Sequence, residues 1–261
     1  MGKPRLCFTL LYSEGDFCLS RNFKVQKVGN LEWIKSNYEF ESISRSIDEL
    51  VILNIDRTGP TDKFIDDIRK IIDGCFMPIA IGGGIRSQKD AKIFFDNGAD
   101  KIVVNNALWK NPNLVNHLAE LYGSQSIIGS LDFNKKEGVY NLFNRDIKLM
   151  PTLIEGIKIL NKIGVGELLI NAIDQDGTGE GYDFIALKQI ANHTNLPLIA
   201  SGGGDSSPKL LEGIKKEYIS AVTSSHLFNF MCDGLEYARK DLINAGVELS
   251  KWNFRELEER T

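Results

Sequence analysis

The residues best suited to bind an anion are two glycine triplets, each at the end of a short apolar run. The stretch PIAIGGGIR spans residues 78–86, and a near copy, PLIASGGGD, spans residues 197–205. Glycine has no Cβ, so its backbone N–H groups can approach an anion closely, and the N-terminus of a following helix adds a favourable dipole. A single triplet would favour the simpler interpretation that the glycines only turn the chain.

Each triplet is followed by small polar residues at the end of the next apolar run. Asn105 and Asn106 follow the first triplet, and Ser224 and Ser225 follow the second. Small polar donors beside backbone amides form a cup for phosphate. Because two such cups recur in register, the sequence predicts a phosphorylated small molecule that carries a phosphate at each end.

The segments that must position these residues alternate between runs rich in Val and Ile and segments with helical spacing. We predict strands at residues 5–11, 50–55, 78–82, 101–105, 126–132, 167–173, 197–201 and 219–224. The clearest helical segments are 64–73, 90–98, 113–123 and 152–164. Short strands that are each followed by a helix indicate parallel βα units, and eight units predict an α/β fold, the (β/α)₈ TIM barrel. A doubly wound open sheet is the alternative, but it gives no reason for an internal repeat.

The second half of the sequence repeats the first. ELVILNIDRTG at 49–59 matches ELLINAIDQDG at 167–177, RLCFTLLY at 5–12 matches SIIGSLDF at 126–133, and KIVVNN at 101–106 matches SAVTSS at 220–225. Four consecutive strands therefore match four others in the same order, as in two half-barrels. We predict one barrel domain over residues 1–261, with half-barrels at about 1–122 and 123–250 and a C-terminal tail to residue 261.

The composition narrows the classes of partner. The 261-residue chain is 43% hydrophobic and 25% charged, with a formal net charge of −4, which gives no electrostatic reason to expect nucleic acid or an anionic membrane as a partner. The N-terminus lacks the layout of a signal peptide, and no apolar run is long enough to span a membrane. The four cysteines show no metal-ligand spacing. We therefore expect a cytoplasmic protein with reduced thiols and with no metal or cofactor.

Three motifs resemble one family. AIGGGIR at 80–86, DGTGEGYD at 176–183 and IASGGGD at 199–205, on a doubled barrel, resemble HisF, the cyclase subunit of imidazole glycerol phosphate synthase. The resemblance implies two phosphate cups: a first cup at Gly83, Gly84, Asn105 and Asn106, and a second cup at Asp176, Gly177, Gly203, Gly204 and Ser225. His226 falls where the family has a phosphate-binding serine. Its imidazole could face a phosphate or fill part of the second cup, so we expect that cup to be the weaker one.

The resemblance also identifies a missing carboxylate. The family uses two aspartates, at the ends of the first and fifth strands, as general acid and general base. Asp132 is in place, but the matching position in the first strand is Leu11, and the family's loop lysine falls on Leu19. Glu14 or Asp16 in the same loop could replace the carboxylate, and this alternative stays open. The related HisA isomerase needs the first aspartate too, so the sequence predicts that ordinary cyclase and isomerase activity is lost.

The opposite end of the barrel matches the family. In HisF a charged ring admits ammonia from a HisH-like glutaminase docked on the N-terminal face, and the matching residues here are Arg5, Glu49, Lys101 and Glu167. Asp100 matches an acidic residue that contacts the glutaminase in the family. The alternative is a salt-bridge network that only closes the barrel floor.

These observations predict a HisF-like subunit of a glutamine-dependent amidotransferase complex. Its barrel would channel ammonia from a HisH-like glutaminase to an N-acetyl sugar amidotransferase that makes acetamidino surface sugars. One alternative is the cyclase subunit of imidazole glycerol phosphate synthase itself, a lyase of histidine biosynthesis. A scaffold barrel without catalytic activity is the other.

Overall fold

Eight parallel strands alternate with helices along the described chain, and three further strands are antiparallel. The computed structural model describes residues 2–250, so the tail predicted at 251–261 lies outside the described residues. Its strands are β1 (Arg5–Ser13), β2 (Asp16–Arg21), β3 (Lys24–Gly29), β4 (Glu49–Asn54), β5 (Ile79–Gly82), β6 (Lys101–Val104), β7 (Ile127–Lys136), β8 (Val139–Phe143), β9 (Glu167–Ala172), β10 (Leu198–Ser201) and β11 (Ala221–Ser224).

Eight of these strands close into a barrel. They are hydrogen-bonded in the order β11, β10, β9, β7, β6, β5, β4 and β1, and β1 also pairs with β11, so the ring has no free edge. All the barrel pairings are parallel. The predicted (β/α)₈ TIM barrel is confirmed, and so are the eight predicted strands to within a few residues.

The helices surround the barrel. They are α1 (Leu31–Asn37), α2 (Phe40–Ile43), α3 (Asp62–Ile72), α4 (Gln88–Asp96), α5 (Asn106–Lys110), α6 (Pro112–Tyr122), α7 (Leu153–Leu160), α8 (Phe184–Ala191), α9 (Ser207–Ile214) and α10 (Gly234–Asn244). Polar side chains fix several of their starts: Ser87 forms a capping box with Asp90 at α4, and Thr61 accepts from the Phe64 amide at α3. None of the helices within residues 2–250 has the length and hydrophobicity of a membrane-spanning segment.

Two hairpins extend above the barrel, and the sequence analysis did not predict them. Strands β2 and β3 continue antiparallel from β1, and β8 folds back on β7. Asn22 and Phe23 turn the first hairpin with positive φ values of 49° and 62°, which is the conformation of a type I′ turn. An alternating pattern at Asp16–Arg21 was the available signal, but no Asn-Gly or Asp-Gly pair marked the turn.

The strand register reproduces the internal repeat. Leu11 of β1 lies opposite Leu53 of β4, and the matching residues Asp132 of β7 and Asn171 of β9 lie opposite each other. The match continues above the strands: the Glu14 amide donates to Asp56 at 2.6 Å, and the Lys135 amide donates to Asp174 at 2.7 Å. The two halves therefore have the same strand register and the same hydrogen bond above the first strand of each half.

Alternation along the strands decides what lines the barrel. Side chains at every second position point inwards. One interior layer is apolar and fully or nearly fully buried: Cys7, Val51, Ala80, Val103, Ile128, Leu169, Ile199 and Ala221. By the same alternation Arg5, Thr9 and Leu11 share the inward face of β1 with Cys7. Arg5 lies towards the N-terminal mouth of the barrel, and Leu11 lies towards the C-terminal mouth. The larger core cluster packs between the barrel and the helices.

Candidate functional site

The N-terminal mouth of the barrel holds the four charged residues predicted as a ring, here called the charged ring. The Arg5 guanidinium donates to both Glu49 and Glu167. Lys101 Nζ lies 3.0 Å from Glu49 Oε2 and 3.2 Å from Glu167 Oε2. Each cation therefore bridges both carboxylates, which is how charges are tolerated near a core.

The carboxylates are the buried members of the charged ring. Glu49 is 1% exposed and Glu167 7% exposed, whereas Arg5 and Lys101 keep a larger share of their surface in contact with solvent. Burial raises the pKa of the Glu49 carboxyl, and the nearby Lys101 and Arg5 charges offset part of that rise. These four residues were predicted to lie together, and the structure joins them in one network of ion pairs.

Above the apolar layer lies a polar layer that the sequence analysis missed. Thr9 and Thr223 are buried and hydrogen-bond each other through their hydroxyls at 2.7 Å. Ser130 of β7 is also buried. Alternation from Cys7 and Ile128 was the signal that could have found them, because it puts Thr9 and Ser130 on the inward face.

At the C-terminal mouth, one side carries a carboxylate and the opposite side does not. Asp132 accepts from Asn105 Nδ2 at 2.9 Å and from Asn171 Nδ2 at 3.2 Å. Burial raises its pKa to about 6, although both amides act to lower it. β1 lies halfway round the barrel from β7, and there the matching position is Leu11, beside Leu53. Of these two matching strand positions, Asp132 thus offers a proton-transfer group and Leu11 does not.

Glu14 and Asp16, the two carboxylates considered as replacements, pair elsewhere. Lys27 Nζ lies 2.9 Å from Glu14 and 3.4 Å from Asp16, on the β2–β3 hairpin. Glu14 turns the chain with a φ of 49°, and its side chain is 73% exposed. This geometry gives neither carboxylate a contact with Asp132.

The glycines of both triplets are required by close backbone packing. A Cβ on Gly83 would lie 2.3 Å from the Asn54 carbonyl oxygen, and one on Gly202 would lie 2.7 Å from the Ala172 oxygen. Four of the six glycines, Gly83, Gly84, Gly202 and Gly203, have positive φ values. The conformation alone therefore accounts for these glycines, and it leaves phosphate binding as a prediction.

The polar residues of the first cup are engaged with other side chains. Asn105 donates to Asp132, and the buried Asn144 donates to Asn105 Oδ1 at 3.0 Å. Asn106 Nδ2 donates to Asp146 at 2.6 Å, and Arg57 donates to the same carboxylate at 2.8 Å. Arg57, Asn144 and Asp146 were not predicted from the sequence, because they lie in loops outside the strand pattern.

The second cup lies under the β2–β3 hairpin. Its lining includes Asp176, Gly177, Gly203, Gly204 and Ser225, together with Leu19 and His226, around a cavity of about 30 Å³. The Asp176 carboxylate accepts from Ser20 Oγ at 2.5 Å and from the Phe23 amide at 3.2 Å. Leu19, the residue at the family's loop-lysine position, thus faces this cavity without a charge.

The strand register changes how the two cups correspond. Lys101 lies opposite Ala80 in β5, and Ala221 lies opposite Ile199 in β10, so Lys101 matches Ala221 and not Ser220. Asn105 then matches Ser225, and Asn106 matches His226. Aligning residues 101–106 with residues 220–225 of the sequence placed these pairs one position away. The reason is that the chain is one residue longer between β10 and β11 than between β5 and β6. His226 accepts from the Asn229 amide through Nδ1 at 3.2 Å.

Asp100 lies at the N-terminal end, beside the charged ring in sequence. It is exposed and accepts from the Ile79 amide at 2.8 Å, which fixes the turn into β5. Exposure leaves it accessible to a partner on this face, and contact with a glutaminase remains a prediction.

Comparison with known proteins identifies the family. Residues 29–231 match the family described as "Histidine biosynthesis protein". The chain is 38% identical to a provisionally named imidazole glycerol phosphate synthase subunit hisF2 of Parasynechococcus marenigrum over 256 residues, or 97% of this chain and 95% of that protein. It is 33% identical to the imidazole glycerol phosphate synthase subunit HisF of Chlorobium limicola and 35% identical to that of Chlorobium luteolum, in each case over 77% of this chain and 81% of the relative.

Proposed function

Since the chain belongs to the HisF family of histidine biosynthesis proteins, we propose that it is the ammonia-conducting subunit of a glutamine-dependent amidotransferase complex. In this proposal a HisH-like glutaminase docks on the N-terminal face and releases ammonia at the charged ring. The ammonia crosses the barrel and is used by another protein at the C-terminal mouth. The barrel itself has lost cyclase activity.

One contrast carries the proposal: the charged ring is complete, whereas the strand-end pair of acid and base is not. Leu11 has no proton to exchange, and the two candidate replacements, Glu14 and Asp16, both pair with Lys27. Losing a general acid or base costs on the order of 10²–10⁴ in rate. A ring that served only to support cyclisation would have no function once that chemistry was lost.

The barrel interior suits a neutral molecule. Ammonia that passes the charged ring meets the apolar layer around Cys7 and Val51, where burial raises the pKa of the Cys7 thiol well above its usual value and keeps it uncharged. An ammonium ion would lose its hydration there at high cost, whereas neutral ammonia would lose little. Beyond this layer the hydroxyls of Thr9 and Thr223 offer hydrogen bonds on the way to the C-terminal mouth.

The ammonia needs an acceptor at the C-terminal mouth. Because this barrel lacks a complete acid and base pair, a separate enzyme must join the nitrogen to its substrate. We assign that role to an N-acetyl sugar amidotransferase that makes acetamidino surface sugars. The intact Asp132, with a pKa of about 6, favours one second candidate, a modified cyclase that uses this residue alone as acid and base.

Turnover separates the two candidates. The purified chain is supplied with the cyclase substrate of imidazole glycerol phosphate synthase and with free ammonia, so that no glutaminase is needed. We expect background turnover, with a HisF relative that has both aspartates as the positive control. A rate close to that control would identify a cyclase and reject the conducting role as the main function.

A further inference from the structure

The first cup contains a negative charge that the family resemblance does not account for. Asp146 belongs to the loop between β8 and α7, and its carboxylate accepts from Asn106 Nδ2 at 2.6 Å and from Arg57 at 2.8 Å. Lys110 Nζ lies 3.6 Å from the same carboxylate. These three donors are the polar and cationic side chains that an entering phosphate would need.

The position of this carboxylate follows from the strand order. Arg57 follows β4, Asn106 follows β6, and the turn at Gly83 and Gly84 follows β5, which lies between those two strands. A carboxylate that joins Arg57 to Asn106 therefore links the two loops on either side of the glycine turn. Arg57 is also tied to the turn directly, because a Cβ on Gly84 would lie 2.3 Å from its carbonyl oxygen.

The loop holds Asp146 in this place through a second contact. The Asp146 amide donates to Asn144 Oδ1 at 2.9 Å, and the buried Asn144 side chain donates to Asn105 and Asn106 at 3.0 and 2.5 Å. The hydrogen bond from Arg57 is the main cause that lowers the pKa of Asp146 below its usual value. The residue is therefore an anion at neutral pH, and its main chain is anchored to the same two asparagines that form the cup.

The Asp146 carboxylate does not use every hydrogen-bond donor of the first cup. Arg57 Nε is buried and has no hydrogen-bond partner among the described residues. Arg57 also holds a left-handed backbone conformation with a φ of 60°, which is strained for a residue with a side chain. Arg57 and Lys110 together outweigh the charge of Asp146, so the site would keep enough donors and positive charge for a phosphate if Asp146 were removed.

We propose that Asp146 is a built-in anion that occupies the first cup and excludes phosphate from it. A ligand of the C-terminal mouth then places at most one phosphate, in the second cup, and a substrate with a phosphate at each end is rejected. This reverses the expectation from sequence that the first cup would be the stronger one. The inference does not rest on ammonia conduction, since it involves no residue of the charged ring.

Phosphate titration tests the inference. The wild type and Asp146→Asn are titrated with inorganic phosphate at constant ionic strength, and the Gly84 amide resonance reports on the first cup. Removing a like charge that competes for the same donors should raise phosphate affinity at Gly84 by about tenfold or more. Asp146→Ser, which shortens the side chain as well, should show the same gain.

Two controls test whether a gain in phosphate affinity comes from the first cup. Asp66→Asn removes an equal charge from the exposed face of α3, and it should bind phosphate as the wild type does. Adding Asn106→Ala to Asp146→Asn should abolish the gain, because it removes a donor of the first cup. The inference is overturned if neither Asp146 variant gains affinity at Gly84, or if the gain survives the loss of Asn106.

Discussion

Glu49 and Glu167 share the same two cations, Arg5 and Lys101, although they begin strands β4 and β9 in different halves of the barrel. They occupy matching positions of the internal repeat, since Glu49 lies opposite Cys7 and Glu167 lies opposite the matching Ile128. The repeat therefore supplies the two anions, and the cations that bridge them come from β1 and β6. This arrangement closes the N-terminal mouth with a neutral set of four charges.

Asp132→Asn should change how stability depends on pH. The pKa of Asp132 is raised to about 6 in the folded state, above the usual value of 3.8. As pH rises from about 4 through about 6, the free energy of unfolding of the wild type therefore falls relative to that of the uncharged variant. Below about pH 4 the Asp132 carboxyl is protonated in both the folded and the unfolded state, so this contribution disappears. Because Asp132 is partly exposed, we expect on the order of 1–2 kcal/mol at pH 8. Urea unfolding across this range measures it, with the exposed Asp66→Asn as the control. A pH-independent difference would contradict the raised pKa.

Gly83→Ala should lower the free energy of unfolding even when no ligand is bound. An added Cβ would lie 2.3 Å from the Asn54 oxygen, so we expect a loss of about 3 kcal/mol or more in the free energy of unfolding. Gly138→Ala is the matched control, because its φ is also positive at 83° but no atom lies within 4 Å of the new Cβ. That variant should lose only about 1–2 kcal/mol. Equal losses would show that the close approach at Gly83 can relax.

Leu11→Asp combined with Leu19→Lys should restore a trace of cyclase turnover. The first change returns a carboxylate to the inward face of β1, opposite β7, and the second places a cation on the lining of the second cup. Leu11→Asn with Leu19→Lys is the control, because the amide has nearly the same shape but cannot transfer a proton. Turnover is measured with free ammonia. Equal rates in the two double variants would mean that the missing carboxylate is not what limits the chemistry.

The barrel and its charged ring could be predicted because they follow from strand periodicity. Arg5, Glu49, Lys101 and Glu167 each begin a strand, and parallel strands bring such positions together at one mouth. Residues on loops could not be placed in this way. Asp146 and Arg57 are far apart in sequence, and only the fold shows that they meet at the first cup. The β2–β3 hairpin was missed because Asn22 and Phe23 form its turn without a glycine.

Lys101→Ala tests most directly whether the charged ring admits ammonia. The variant leaves Glu49 and Glu167 with Arg5 as their shared cation, and breaking a buried set of charges can cost about 3–5 kcal/mol. Folding and glutaminase binding are therefore checked first. Lys92→Ala, which removes an exposed lysine paired with Asp96 on α4, controls for the lost charge.

The measurement is the ratio of amidated product to glutamate released by the complex of glutaminase, barrel and acceptor enzyme. We predict that Lys101→Ala still supports glutamine hydrolysis but delivers less of the ammonia to product, so that its ratio falls below those of the wild type and Lys92→Ala. An unchanged ratio in a folded Lys101→Ala variant that still binds the glutaminase would contradict the account and leave the charged ring a purely structural network.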